Sequence, residues 1–271
     1  MKLALLNELR DQNPVVFNIA NFVTVQDVAN GLNALGASPI MSAEVQEAET
    51  MVQIAGAVCI NLGTLTEQQI HQMHVVGQFA NQYHKPVVLD PVAVGAVPYR
   101  KAVATALLAA IDVAVIRGNV GEIATLADVD WQAKGIDAGN GQGNLVEIAK
   151  VCAQKYHCCV ILSGPTDVIT DGTRVAQVHN GTPLFQLHVG SGDLLSSIVA
   201  AFTAVSDDYF EAAQTACLVL AATGELVASQ LTADRPATFA VDLIDKLSLV
   251  KVSEVNDITA INQKSKGRGY E

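Results

Sequence analysis

The sequence is short of several things at once. Charged residues make up only 16%, aromatic residues 5%, and there is a single Trp in 271 residues. Cations are scarce: 16 Lys and Arg stand against 27 Asp and Glu, a net charge of −11. That balance argues against nucleic acid or an anionic membrane as a partner. It leaves a nucleotide substrate open, because a few local cations, backbone N–H groups and a metal ion can hold one phosphate tail. The longest apolar stretches, around 194–205 and 216–229, are broken by serines or by Glu225 and are too short to span a bilayer. Residues 1–17 carry Glu8 and Asp11 without a long apolar segment, so no signal peptide is evident. The five cysteines are odd in number, too irregular for a zinc site and set in apolar stretches. They read as buried thiols of a reducing cytoplasm, and the expectation is a soluble cytoplasmic protein.

Familiar catalytic signatures are missing too. No Walker sequence Gly-x-x-x-x-Gly-Lys-Ser/Thr occurs, so a nucleotide must be held in another way. No Gly-x-Ser-x-Gly elbow surrounds Ser191, which excludes it as a hydrolase nucleophile. The six histidines show no metal spacing. His71 and His74 share a face of an exposed helix, and His157 and His188 read as strand residues.

What is present is alternation. Apolar, β-rich runs at 14–19, 55–62, 86–89, 112–116 and 158–162 read as buried strands, with helical patterns at 24–35, 66–83 and 101–110 between them. This predicts an α/β fold with right-handed crossovers and a mostly parallel sheet covered on both faces. Beyond 162 the runs 167–170, 174–178 and 184–189 read as strands joined by tight Asp-Gly and Asn-Gly turns. Helix returns at 192–205, 210–230 and near 240–246. No linker, repeat or low-complexity segment divides the chain. The expectation is one domain over 1–261 and a flexible polar tail over 262–271.

In open α/β sheets ligands bind beyond the carboxyl ends of the strands. Those ends carry Asn61-Leu62-Gly63-Thr64, Asp90-Pro91-Val92, Arg117-Gly118-Asn119 and Ser163-Gly164. Gly190-Ser191-Gly192-Asp193 precedes an apolar helical run. Its glycines admit close backbone approach to an anion, and the helix start adds N–H donors and a positive dipole end. Asp193 then lies within reach of a hydroxyl attacking a phosphate held there. The same four residues also fit a plain helix start with an Asp cap. Asn119-Val120-Gly121-Glu122 has two readings as well: a site for hydrated Mg²⁺ beside phosphates, or a capping box. Arg117 suits phosphate oxygens or a surface charge, and Asp90 suits a water on the metal or a turn cap.

Taken in order, Asn18-Ile19-Ala20-Asn21, Gly36-Ala37-Ser38-Pro39-Ile40-Met41, Asn61-Leu62-Gly63-Thr64-Leu65, Asp90-Pro91-Val92, Arg117-Gly118-Asn119-Val120-Gly121-Glu122 and Gly190-Ser191-Gly192-Asp193 closely resemble the hydroxyethylthiazole kinase family. The resemblance runs from about residue 8 to 250. It implies a three-layer ribokinase-like fold and ATP-dependent phosphorylation of the primary alcohol of 5-(2-hydroxyethyl)-4-methylthiazole, a step of thiamine salvage. By that resemblance Gly190, Ser191 and Gly192 bind phosphate, Asp193 is the base, Arg117 and Ser163 contact ATP, and Glu122 with Asp90 organises Mg²⁺ through water. Thiazole contacts fall on Asn21, Val23, Met41, Gly63 and Gly190. The family implies a homotrimer with the thiazole pocket completed by a neighbouring subunit.

Departures from the family pattern are informative. Many members have Cys where this chain has Asp193, and a carboxylate is the stronger base near neutral pH. Phe17 and Ala20 differ from the usual pattern near the thiazole side, Gln26 replaces a usual Asn, and Ser163 replaces a common Thr. Other readings on the same fold are a nucleotide-hydrate dehydratase and a pyrimidine or pyridoxal kinase. A non-catalytic nucleotide-binding protein is opposed by the presence of Asp193, Glu122 and Asp90 together.

Overall fold

The computed structural model describes residues 2–130 and 142–266. A short helix α1 (Leu5–Gln12) leads into strand β1 (Val15–Ile19), helix α2 (Val25–Leu35) and strand β2 (Ser38–Ile40). Then come α3 (Ala48–Ile54), β3 (Ala57–Asn61), α4 (Glu67–Gln82), β4 (Val87–Asp90), α5 (Pro98–Ala110), β5 (Val115–Asn119) and α6 (Val120–Leu126). After α7 (Gln142–Tyr156) follow β6 (Cys159–Ser163), β7 (Asp167–Thr170) and β8 (Val175–Val178). Helices α8 (Leu184–Leu187), α9 (Ser191–Thr203), α10 (Tyr209–Ala228), α11 (Pro236–Leu249) and α12 (Val252–Lys266) complete the fold.

The strands form one sheet in the order β2-β1-β3-β4-β5-β6-β7-β8. All pairs from β2 to β6 are parallel, and β6-β7-β8 are antiparallel. Period-two alternation divides the strand side chains between two apolar layers. Val16, Ala57, Cys59, Val88, Val115, Cys159 and Ile161 face the layer of α1, α2 and α9–α12. Phe17, Val58, Ile60, Leu89, Ile116 and Val160 face the layer of α3–α7. This is the expected parallel α/β sandwich. Helix α10 is long and apolar enough to cross a membrane, but 78% of its apolar window is buried inside the fold, which makes it a core helix.

Several boundaries differ from expectation. The run 184–189, read as a strand, forms α8 instead. Pro183 (φ −58°, ψ −20°) sets the helical turn, and the Leu184 N–H donates to Thr182 Oγ1 at 3.3 Å. Phe185 then packs edge-on against Phe239 at 5.4 Å between ring centroids. His188 therefore follows a helix, and His157 sits in a turn at φ +52°, so neither is a strand residue. Strand β5 starts three residues later than expected and extends through Asn119. Helix α12 includes residues 262–266 of the segment expected to be a tail, and 267–271 lie outside the described residues. Phe17, expected near the ligand, has no exposed surface and belongs to the α3–α7 layer. Ala20 lies just past the end of β1.

The chain ends are tied together by one side chain. Arg10 on α1 donates to Leu35 O (3.2 Å), Val250 O (2.8 Å) and Leu247 O (2.9 Å). It thereby satisfies carbonyls at the C-terminal ends of both α2 and α11, which have no intrahelical donor. Arg10→Ala is expected to lower stability by about 1–3 kcal/mol in denaturant unfolding. Arg10→Lys should recover only part of the loss, because an ammonium cannot reproduce the fork.

Candidate active site at the strand ends

The same alternation that builds the two layers aims the polar residues. Cys59, Val88, Val115 and Ile161 face the α9 layer, so the residues two further along, Asn61, Asp90, Arg117 and Ser163, face it as well. Each is the last or nearly the last inward position of its strand. The parallel register puts Asn61 beside Asp90 and Asn119 beside Ser163. One row of polar side chains therefore runs along the carboxyl edge beneath the start of α9.

Gly190 precedes α9 at φ +96°, in the left-handed region that favours glycine. A Cβ there would lie 2.6 Å from Thr24 Cγ2, so glycine is also the residue that lets this turn close on α2. No side chain caps α9, which leaves the first-turn N–H groups, those of Gly192 and Asp193 among them, to an external partner. Ser191 Oγ is turned away and donates to His188 O at 2.9 Å. Beneath the turn, the Arg117 guanidinium lies where a Cβ on Gly192 would come within 2.4 Å of its Nη1. Arg117 is 3.5 Å from Asp90 through that atom, and its buried Nε has no hydrogen-bond partner.

Asp193 is not a simple helix cap. Its Oδ2 accepts from Asn21 Nδ2 (2.5 Å) and Thr24 Oγ1 (2.6 Å), and its Oδ1 from Asn61 Nδ2 (3.0 Å). The donors are themselves fixed. Asn21 Oδ1 accepts the N–H groups of Val23 and Thr24, and Asn61 Oδ1 accepts the Gly63 N–H at 2.7 Å. A Cβ on Gly63 would stand 2.8 Å from both Asn21 Nδ2 and Asn61 Oδ1. Gly63 and Gly190, expected as thiazole contacts, thus make room for the residues around Asp193.

Asp90 is buried, and loss of water pushes its carboxyl up to about 6. The neighbouring Asp193 and Glu122 charges add to the rise, while Arg117 and the Ser196 hydroxyl, 2.7 Å from Oδ2, oppose it. Glu122 realises the capping box: its Oε2 accepts the Asn119 N–H (2.8 Å), and Asn119 Oδ1 accepts the Glu122 N–H (3.0 Å). Its Oε1 also takes the Ala93 N–H at 2.9 Å, pinning the turn after β4. Among the described residues no cluster of three or more His, Cys, Asp or Glu is placed to hold a metal ion. The donor set is two hard carboxylates that repel each other. That fits a Mg²⁺ keeping its own water shell and not a cage of direct protein ligands.

Beside the turn opens a cavity of about 550 Å³, in the range of small-molecule sites. Arg117, Ser163, Gly164, Ser191 and Gly192 line one end, and Pro183, Phe185, Leu195, Leu220 and Ala221 give it apolar walls. Ser163 Oγ donates to Gly118 O at 3.2 Å and joins β6 to β5 beside the cavity. Asn21, which bonds Asp193, and Gly63, which packs on Asn21, do not line this cavity; Val23 is exposed, and Met41 is half-buried just past β2.

Sequence reasoning missed several participants. Thr24 appeared only as a helix start, and Asn61 stood at a ligand-side strand end and in a family motif without a role of its own. Asp167, whose Oδ1 accepts the Gly164 N–H at 3.1 Å, lines the cavity, and burial pushes its carboxyl up to about 6. Its signal was the acid three residues after Gly164, a side-chain-closed turn. Arg100 joins two strand ends by donating to Leu62 O and to Val92 O. Nothing in its helical surroundings marked it.

Residues 6–253 match the Hydroxyethylthiazole kinase family. The hydroxyethylthiazole kinase of Lactiplantibacillus plantarum is 80% identical over 263 residues, which is 97% of this chain and 100% of that protein. The hydroxyethylthiazole kinase structure from Pyrococcus horikoshii OT3 superposes with a TM-score of 0.87 at 32% identity, covering 94% of this chain and 96% of that one. A ribokinase-like superfamily protein of Enterococcus faecalis, at 14% identity and a TM-score of 0.63 over 92% of this chain and 95% of its own, shares the fold alone. The match takes in the sheet, every strand end described above and the turn before α9, and so the chain belongs to the hydroxyethylthiazole kinase family.

Proposed function

We propose that the chain transfers the γ-phosphoryl group of ATP to the primary alcohol of 5-(2-hydroxyethyl)-4-methylthiazole, with Asp193 as the base. The observation that carries this reading is an uncapped helix turn bordering a nucleotide-sized cavity, with an acid at its third position on which three side-chain donors converge. The first-turn N–H groups meet the phosphoryl oxygens and oppose their growing charge. Arg117 adds a guanidinium directly below Gly192. The alcohol oxygen forms the new P–O bond as the bond to ADP breaks, and its proton passes to the Asp193 carboxylate. Asp90 and Glu122 would hold a hydrated Mg²⁺, which supplies charge neutralisation to the ATP phosphates. Ser163 and Arg117 border the ATP cavity.

Around the alcohol side the surface is unusually apolar. Phe22 is 74% exposed, Val23 60% and Val189 71%. The backbone beneath is held, with the Phe22 N–H on Thr64 Oγ1 at 3.2 Å. These exposed apolar side chains, adjacent in the chain to Asn21 and Gly190, support a homotrimer in which the neighbouring subunit completes the thiazole site. The five unpaired, buried thiols support a cytoplasmic location.

Asp193→Asn should lower kcat by about 10²–10⁴-fold while ATP binding, followed by calorimetry, stays near wild type. Loss of both together would assign Asp193 a capping role only. Met41→Ala should raise KM for the alcohol and not for ATP. Phe22→Asp should dissociate the trimer in light scattering and raise the same constant; a monomeric wild type, or equal effects on both substrates, would overturn the pocket assignment. The sign of the pH effect follows from Asp90. Its carboxyl gains a proton as pH falls through about 6, so KM for MgATP should rise there, and added Mg²⁺ should move that limb to lower pH. A KM that is flat between pH 5 and 8 would remove Asp90 from the metal site.

A further inference from the structure

Asp193 is held by more than its own helix, and the holding groups come from three separate places: the turn after β1, the start of α2 and the end of β3. We infer that Thr24 and Asn61 are positioning residues, which fix the Asp193 carboxylate so that one oxygen faces the incoming alcohol. The inference rests on the reading of Asp193 as the base and adds to it the groups through which the base is aimed.

Both residues are nearly inaccessible, with Thr24 2% and Asn61 4% exposed, so neither offers much surface to a substrate. Their polar atoms are nonetheless turned onto the carboxylate. Asn61 uses both ends of its amide. The N–H reaches Asp193 Oδ1, while the oxygen takes the Gly63 N–H and, at 3.3 Å, Asn21 Nδ2. Such an amide can face only one way, because a flip would oppose acceptor to acceptor and donor to donor. Thr24 differs from the two asparagines in chemistry. An amide NH₂ only donates, whereas a hydroxyl both donates and accepts. When Asp193 has taken the alcohol proton, Thr24 Oγ1 can turn from donor to acceptor and still hold the acid in place. The two amides cannot follow that change on their own.

The loop geometry points the same way. Gly190 packs on the Thr24 side chain, so the turn before α9 and the residue that aims the base are in direct contact. This is the kind of support that keeps reacting groups near their attack geometry.

The test uses Thr24→Val, Thr24→Ser and Asn61→Leu in the full chain, with Asp193→Asn alongside, assayed with MgATP and the thiazole alcohol. Thr24→Val and Asn61→Leu should each lower kcat by about tenfold to a hundredfold, the loss of a hydrogen bond to a charged group, with both KM values within about twofold of wild type. Thr24→Ser should restore most of the rate, since it returns the hydroxyl without the methyl. Retained ATP binding and unchanged melting curves for Thr24→Val and Asn61→Leu keep misfolding from imitating the effect. A wild-type kcat in Thr24→Val and Asn61→Leu, with Asp193→Asn inactive, would overturn this inference and leave the base intact. A rise in KM for the alcohol in place of a fall in kcat would make these residues substrate contacts and overturn it too. Turnover preserved in Asp193→Asn would sink the reading of the base itself.

Discussion

The site depends on how α9 lies against the sheet. Every residue of 194–203 is buried, so the helix has no freedom to slide or roll without exposing its core face. Its first turn therefore stands at a fixed height above the carboxyl ends of β1, β3, β4 and β5. Ser196 and Ser197 continue the contact one turn down, on Asp90 and on Cys59. The apolar packing of α9 sets the position of Asp193; the polar row beneath only refines it.

That row follows from the same packing. In a parallel sheet covered on both faces, each strand must send alternate residues to opposite layers. Once Cys59, Val88, Val115 and Ile161 are committed to the α9 side, Asn61, Asp90, Arg117 and Ser163 follow at the strand ends, where the apolar layer stops and water begins. The burial of Asp90 has an electrostatic consequence. Three carboxylates, those of Asp90, Asp193 and Glu122, gather near one guanidinium. A divalent cation placed among them would lower their mutual repulsion.

The motif at Asn119 is realised as a capping box. Glu122 closes the start of α6 and clamps Ala93, and both acts fix the place of its carboxylate. A carboxylate whose oxygens already accept backbone N–H groups is a poor direct ligand but a good anchor for a water shell. Asp193 goes the other way: its sequence pattern fits an ordinary cap equally well, and the three donors converging on it make that reading too small.

The alternation of apolar strands and helices was legible because it recurs along the whole chain and is enforced by burial. The run 184–189 was not, because a short, mostly apolar run fits a strand or a helix until Pro183 and the Phe185 packing decide. The turn before α9 was legible because glycine, serine and acid in series report a local backbone need. The surroundings of Asp193 were not: Asn21, Thr24 and Asn61 lie 172, 169 and 132 residues away, and spacing along the chain carries no trace of such contacts. By itself the sequence determined the layers, the strand ends and the family motifs, since those follow from periodicity and local chemistry. Only the tertiary structure decided which polar side chains meet, because that depends on strand order, register and the seating of one buried helix.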